Sequence, residues 1–165
     1  MTARLRLLPL LAAVFLLTGC ARWEDYSSKE GRYSVKFPGK VKTETRSLPT
    51  PLGTLTMSAA LTESKDDAFM VAYADLPRAA FDYKAAVQGM VNTWSGKVLY
   101  EKPVTIDGHE GYEFEAEITK PAKGYAAGRL FLHGKRIYQV VALGSKTRAD
   151  SSKVQKFWDS FKIEK

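Results

Sequence analysis

The chain has 165 residues, a formal net charge of +7 and a single cysteine, Cys20. One cysteine excludes a disulfide within the chain and any zinc or redox site built on a Cys-x-x-Cys pair. The basic residues are scattered, with no run of five or more, so the charge does not indicate a nucleic-acid partner.

The chain begins with a pattern typical of an export signal. Arg4 and Arg6 precede Leu7 to Leu17, a run of 11 residues without a polar side chain. As a helix this run would cover about 16 Å, against about 30 Å of bilayer hydrocarbon. It therefore predicts a signal-peptide core and not a membrane span.

The apolar run ends in Leu17-Thr18-Gly19-Cys20. This stretch resembles the lipobox of bacterial lipoproteins. The resemblance implies that the Cys20 sulfur carries a diacylglycerol, that the signal is cut before Cys20, and that the new amino end is acylated. An ordinary secretory signal that ends near a free cysteine is the alternative.

Three parts follow from this interpretation. Residues 1–19 are the signal peptide, 20–22 are the lipidated cysteine with a short tether, and 23–165 form a single domain. Cleavage leaves 146 residues with a net charge of about +5, enough chain to bury its own core. We expect a membrane-anchored envelope protein that faces the periplasm or the exterior. In enterobacterial lipoproteins, an aspartate after the lipidated cysteine resembles an inner-membrane retention signal. Ala21 stands at that position here, so the resemblance favours the outer membrane, where the organism has one.

The first half of the domain is predicted to be strands. Tyr33, Val35 and Phe37 alternate within 32–37, and the polar stretch 41–47 is typical of an edge strand. A proline-containing loop over 48–53 follows. Two further strands are expected at 54–62 and at 68–76, the second apolar on both faces.

A helix is predicted from Ala79 to Thr93, where apolar residues recur at helical spacing. A strand over 98–106 follows, with Pro103 typical of an edge. Asp107-Gly108 then predicts a two-residue hairpin turn. The next strand, through Ile118, places Tyr112, Phe114 and Ala116 on one face and three glutamates on the other.

Two more strands, 125–132 and 136–143, precede a second helix, which Ser151 or Asp150 would cap. Consecutive strands joined by tight turns are antiparallel, and helices must cover an apolar face of the sheet. The sequence therefore predicts an α+β fold, a central antiparallel β-sheet flanked by two main helices in an α/β/α sandwich.

Three stretches resemble the PsbP/Mog1-like superfamily. They are Gly31-Arg32-Tyr33-Ser34-Val35-Lys36-Phe37-Pro38, Arg136-Ile137-Tyr138-Gln139-Val140 and Phe157-Trp158-Asp159-Ser160-Phe161. The resemblance implies an antiparallel sheet flanked by helices and includes uncharacterised bacterial lipoproteins. Its motifs are core aromatics, so it implies binding or assembly work more than catalysis, and shared fold implies no shared activity.

Two histidines are the first candidates for chemistry. His109 follows Asp107-Gly108 and precedes Glu110, and His133 lies in another turn. Such residues hold metals or act as bases, yet a metal needs three or four converging ligands. We therefore interpret both as residues of solvated turns, which would meet only if both turns lie at one end of the sheet.

Glu113, Glu115 and Glu117 form a carboxylate row on one strand. Paired carboxylates serve glycosidases as acid and base, but that role needs unequal environments in a cleft. We expect an exposed row that shares the same water and pairs across strands with Arg129 or Lys135.

No nucleophile elbow, Walker motif, dinucleotide-binding glycine motif or HExxH helix occurs in the sequence. We therefore expect no enzyme, cofactor or metal. The leading hypothesis is a lipid-anchored, non-enzymatic binding or assembly factor for an envelope protein complex. The alternatives are a module that holds an apolar or glycan ligand between sheet and helices, and a hydrolase with an unfamiliar site near His109 and His133.

Intact-mass analysis of the protein taken from its native envelope should show a polypeptide that begins at Cys20 and carries the added mass of acyl chains. Two or more chains hold a protein firmly in a bilayer, whereas one holds it marginally. An unacylated thiol, or a chain that keeps its first nineteen residues, would contradict the lipobox interpretation.

Overall fold

A computed structural model describes residues 22–50, 53–78 and 81–164. The signal peptide, Cys20 and the rest of the lipobox lie outside these residues. The described elements are β1 (Glu24–Ser28), β2 (Tyr33–Phe37), β3 (Lys42–Thr50), β4 (Gly53–Glu63), β5 (Asp67–Asp75), α1 (Tyr83–Thr93), β6 (Lys97–Ile106), β7 (His109–Ile118), β8 (Gly124–His133), β9 (Arg136–Gly144), α2 (Ser152–Ser160) and β10 (Lys162–Ile163).

The strands form two antiparallel sheets. The larger has seven strands in the order β3-β4-β5-β9-β8-β7-β6, and the smaller has three in the order β1-β2-β10. Hairpins join most sequential neighbours. One of them closes on Asp107 and Gly108, whose φ angles of 52° and 79° suit a tight two-residue turn between twisted strands.

Both outer strands of the seven-stranded sheet carry a proline. Pro49 lies in β3 and Pro103 in β6. A proline lacks the N–H that a ladder needs and is therefore found at sheet edges. The predicted edge positions of these two stretches are confirmed.

Each helix begins at a side-chain cap. A carboxylate oxygen of Asp82 accepts from the Ala85 N–H, and the Ser151 hydroxyl accepts from the Val154 N–H. The first helix is shorter than predicted, since α1 begins at Tyr83 and not at Ala79, which lies outside the described residues. The predicted Ser151 cap of α2 is confirmed.

The seven-stranded sheet buries both faces. One face packs against α1, where Val87 and Val91 are fully enclosed. The other face packs against β2 and α2 through an aromatic cluster. Within it, Phe157 lies 5.4 Å from Phe37 and 5.2 Å from Phe69, measured between ring centroids.

The α+β class is confirmed, with more strands than predicted. The three-stranded sheet was not anticipated, because β1 and β10 are short and only partly buried. The expected loop over 48–53 is also wrong in part, since β3 continues to Thr50 and β4 begins at Gly53. Within the described ranges, no helix combines the length and the apolar character needed to cross a membrane.

Phe157→Ala should lower the free energy of unfolding by about 3–5 kcal/mol, since it empties the centre of the aromatic cluster. Leu99→Ala is the control. Leu99 is 44 % exposed, so its truncation should change the stability by less than about 0.5 kcal/mol. Urea unfolding measures both, and equal effects would contradict the assigned core.

Candidate functional site: a histidine cleft at one end of the sheet

The two histidines meet. In the β7–β8 ladder Gly111 lies opposite Phe131, and the same register brings His109 opposite His133. Their ring centroids lie 5.2 Å apart at an interplanar angle of 75°. The interpretation of two separate solvated turns is therefore incomplete, because both turns lie at one end of the sheet.

The paired imidazoles border an open cleft of about 300 Å³. Its floor is apolar, and Phe131 and Phe161 stack there with centroids 5.8 Å apart. Gly111 allows this packing, because a Cβ at that position would lie 2.6 Å from the Phe131 ring. The residues that line the cleft are Ile106, Asp107, His109, Phe131, His133, Phe161, Lys162, Ile163 and Glu164.

The short strand β10 forms the opposite wall of the cleft. It pairs with β2, and the Glu164 N–H donates to the Arg32 carbonyl at 2.8 Å. Lys162 forms an ion pair with Asp107, which ties this wall to the β6–β7 hairpin. Lys162 and Glu164 could not be predicted as residues of the site, because their approach depends on the position at which α2 ends.

Two imidazoles and nearby carboxylates resemble a partial metal site. No group of three or more His, Cys, Asp or Glu side chains within the described ranges is arranged to hold a metal ion. The cleft instead offers two nitrogen heterocycles, one ion pair and an aromatic floor. Such a surface fits a ligand or a side chain in which a polar group is attached to an apolar part.

The carboxylate row lies on the same face of the sheet, further along β7. The prediction that it is exposed was wrong for two members, since Glu113 is 5 % and Glu115 is 2 % exposed. Glu117 alone remains exposed. Arg129 and Tyr100 enclose Glu113, and the loop before α2 encloses Glu115, which periodicity along one strand cannot predict.

Each buried carboxylate has a cationic partner. The Arg129 Nε donates to Glu113 at 2.8 Å, which confirms the predicted cross-strand pair. Lys102 approaches the same carboxylate at 3.2 Å. Arg148 and the Ala149 N–H each lie 2.7 Å from Glu115, so these carboxylates are structural ion-pair partners.

Burial acts to raise the pKa of Glu113, because it penalises the charged form. The hydrogen bond and charge of Arg129, together with those of Lys102, outweigh burial and leave the pKa below its ordinary value of 4.5. The pKa of Tyr100 is raised by burial and by Glu113, to which its hydroxyl donates at 3.2 Å. The lowered pKa of Glu113 keeps its carboxylate charged at neutral pH, and the raised pKa of Tyr100 keeps its hydroxyl protonated as the donor.

The sequence matches no family model and no curated protein sequence. The structure is similar to the solution structure of cyanobacterial PsbP (CyanoP) from Synechocystis sp. PCC 6803, with a TM-score of 0.62. The alignment covers 88 % of this chain and 95 % of that chain, at 12 % identity. The chain has a PsbP-like fold. Identity this low establishes the fold alone and carries no activity across.

A second cluster stands beside the cleft within the PsbP-like fold. The guanidinium of Arg136 binds both carboxylate oxygens of Asp75, at 2.7 and 2.6 Å, and also donates to the Glu30 carbonyl at 2.6 Å. The hydrogen bond from Arg136 lowers the pKa of Asp75. The cluster fixes the 29–32 turn against the β8–β9 turn, next to His133.

Arg129→Met should lower the free energy of unfolding at neutral pH by about 3–5 kcal/mol, because it removes the buried cationic partner of Glu113 and leaves only the exposed one. Lys102→Met removes the other partner of the same carboxylate. Since Lys102 is 58 % exposed, its loss should cost at most about 1 kcal/mol.

The pH dependence follows from the lowered pKa of Glu113. The stabilisation by Arg129 should be complete above pH 4.5 and should disappear as the pH falls through the lower folded-state value. Urea unfolding at a series of pH values measures the difference between wild type and R129M. A difference that stays constant on acidification would argue against a charged Glu113.

Proposed function

We propose that this chain is a lipid-anchored envelope protein that works as a non-enzymatic binding or assembly factor, and that the histidine cleft receives its partner protein. The lipobox resemblance supports the anchor. The partner site is supported by one observation, on which the proposal depends: the cleft and the start of the domain lie at opposite ends.

The domain has two distinct ends. Strand β1 begins with Glu24 opposite Phe37, next to the turn that contains Gly39. A Cβ on Gly39 would lie 3.0 Å from Thr62, so this turn neighbours the β4–β5 connection. We call this the entry end, because the chain arrives there from the tether.

The cleft lies at the opposite end. Strand β7 runs from His109 in the cleft to Ile118 near the entry end, ten residues that cover about 33 Å. An anchor at Cys20 would hold the entry end at the membrane and present the cleft away from it. This orientation leaves the cleft open to a protein of the envelope space.

The chemistry of the cleft indicates what it would contact. Among the side chains whose exposure the structure describes, Leu99 is the one large hydrophobic side chain that is exposed, and it lies outside the cleft. Recognition by a broad apolar patch is therefore not supported. The paired histidines, the Asp107–Lys162 ion pair and the aromatic floor favour a partner that inserts a polar or aromatic side chain.

The second candidate is a module that binds a small apolar or glycan ligand. The Phe131–Phe161 stack favours it, since aromatic faces pack on sugar rings and on apolar groups. A volume of about 300 Å³ lies at the lower end of small-molecule pockets, roughly 300–1,000 Å³. The hydrolase stays third, because no serine, threonine or cysteine of the described chain lines the cleft beside the histidines.

A photo-crosslinking residue at Lys135, in the turn beside His133, should capture a defined envelope protein from the full chain in its native membrane. The same residue at Thr45, on the outer strand β3, should not. Replacing both His109 and His133 by alanine should reduce capture from position 135 by about tenfold, because it removes two central contacts.

The matched control replaces Lys84 and Gln88 by alanine on the exposed side of α1, and it should leave capture unchanged. Capture that survives the loss of both histidines would place the partner elsewhere. Absence of any adduct, together with a small molecule that copurifies and is lost from the double histidine variant, would establish the ligand-binding alternative.

A further inference from the structure

The entry end carries an excess of positive charge. Five connecting segments lie there, and they span residues 38–41, 64–66, 94–96, 119–123 and 145–150. One cavity is lined jointly by residues of the second, fourth and fifth segments, so these three form one continuous surface. The Trp94 carbonyl accepts from the Thr119 and Lys120 N–H groups, which joins the third segment to the fourth. The exposed lysines of these segments are Lys40, Lys65, Lys120, Lys123 and Lys146.

These five lysines, here called the entry-end lysines, are free of ion pairs within the described part of the chain. The exposed carboxylates at this end that form no ion pair are Glu24, Glu63, Asp66, Glu117 and Asp150. Asp67 is occupied by Lys153 at 2.5 Å. Arg22, Lys42 and Lys97 are further exposed cations here, so the unpaired cations outnumber the unpaired carboxylates by eight to five among the described residues.

The cleft end is balanced instead. Its two main cations are paired, Arg136 with Asp75 and Lys162 with Asp107. The other charged residues of its turns are of both signs, namely Lys29, Glu30, Arg32, Glu110, Lys135 and Glu164. The positive charge of the domain is thus concentrated at the end from which β1 starts.

The tether is short enough to keep these lysines close to a membrane in which Cys20 is anchored. Cys20 and Trp23 are three residues apart, which limits the span between them to about 10 Å. The Debye length at physiological ionic strength is about 8 Å. An anchored Cys20 would therefore hold the entry end within the range of a membrane surface potential.

We propose that the entry-end lysines bind the anionic headgroups of the membrane that holds the anchor, so that the domain stands on this end. The proposal rests on the lipid anchoring given above. Lysine is a compact and flexible cation that suits mobile headgroups, whereas planar arginine suits fixed bidentate partners. Three arginines of the domain have fixed carboxylate partners, namely Glu113, Asp75 and Glu115, and the Arg136–Asp75 pair is bidentate.

Acetylation of lysines at low extent, read by mass spectrometry, tests the proposal on the full-length lipidated protein. The protein is reconstituted in vesicles of phosphatidylcholine alone or with about 30 % phosphatidylglycerol. In the anionic vesicles the entry-end lysines should react about fivefold more slowly, as expected from the attraction of a lysine to an anionic surface. Lys29, Lys84 and Lys135 should react equally in both, and about 0.5 M NaCl should remove the difference.

Matched variants separate local charge from net charge. Replacing Lys65, Lys120 and Lys146 by glutamine should abolish the protection of Lys40 and Lys123. The same replacement at Lys29, Lys84 and Lys135 lowers the net charge equally and should leave the protection intact. Equal loss in both variants would reduce the effect to overall charge and would overturn the proposal.

A flotation assay tests the lipid anchor separately from headgroup binding by the entry-end lysines. A chain that fails to float with phosphatidylcholine vesicles refutes the anchor, while the entry-end lysines are still judged by their protection on phosphatidylglycerol vesicles. A chain that floats with both but shows no protection of these lysines refutes the lysine surface and leaves the anchor standing.

Discussion

Helix α2 rests on a charged pair buried between it and the sheet. Arg129 lies with its guanidinium 4.3 Å from the centre of the Trp158 ring and donates to Glu113 at 2.8 Å. The face of the guanidinium therefore packs on the Trp158 ring of α2, while its Nε donates to the Glu113 carboxylate. Without Arg129, Trp158 would lose its cation, and Glu113 would keep only the largely exposed Lys102 and the Tyr100 hydroxyl as partners.

The position of α2 determines the rest of this side of the domain. Trp158 donates to the Val140 carbonyl at 3.3 Å, and the helix ends at Ser160, directly before Phe161, which stacks on Phe131. The chain turns directly into β10, whose Lys162 reaches the β6–β7 hairpin. The wall of the histidine cleft is therefore a consequence of the pair beneath the helix.

Much of the fold could be predicted because local rules decide it. Asp107-Gly108 satisfies the positive φ angles of a tight hairpin, and Ser151 caps its helix, so these boundaries follow from a few adjacent residues. The site is different. The approach of His109 to His133 depends on the register of β7 with β8, and the burial of Glu115 depends on Ala149, which is 34 residues later in the chain. Neither contact can be predicted from the residues that are adjacent in the sequence.

A PsbP-like fold at 12 % identity supplies a scaffold and leaves its surface free to change. The lysines and histidines on which the two proposals depend lie at the ends of the domain. Among the described residues, one end has lysines without an ion pair, and the other has the two histidines and charges that are paired. This division is the one that the proposed membrane anchor and partner site would require.

The prolines of the outer strands have a further consequence if the domain is anchored to a membrane. Proteins confined to a plane meet one another far more often than they do in free solution, and an open sheet edge invites a neighbour to add a strand. Pro49 in β3 and Pro103 in β6 each withhold a backbone donor along the two exposed borders. A crowded layer of these domains would be guarded against stacking edge to edge into fibres.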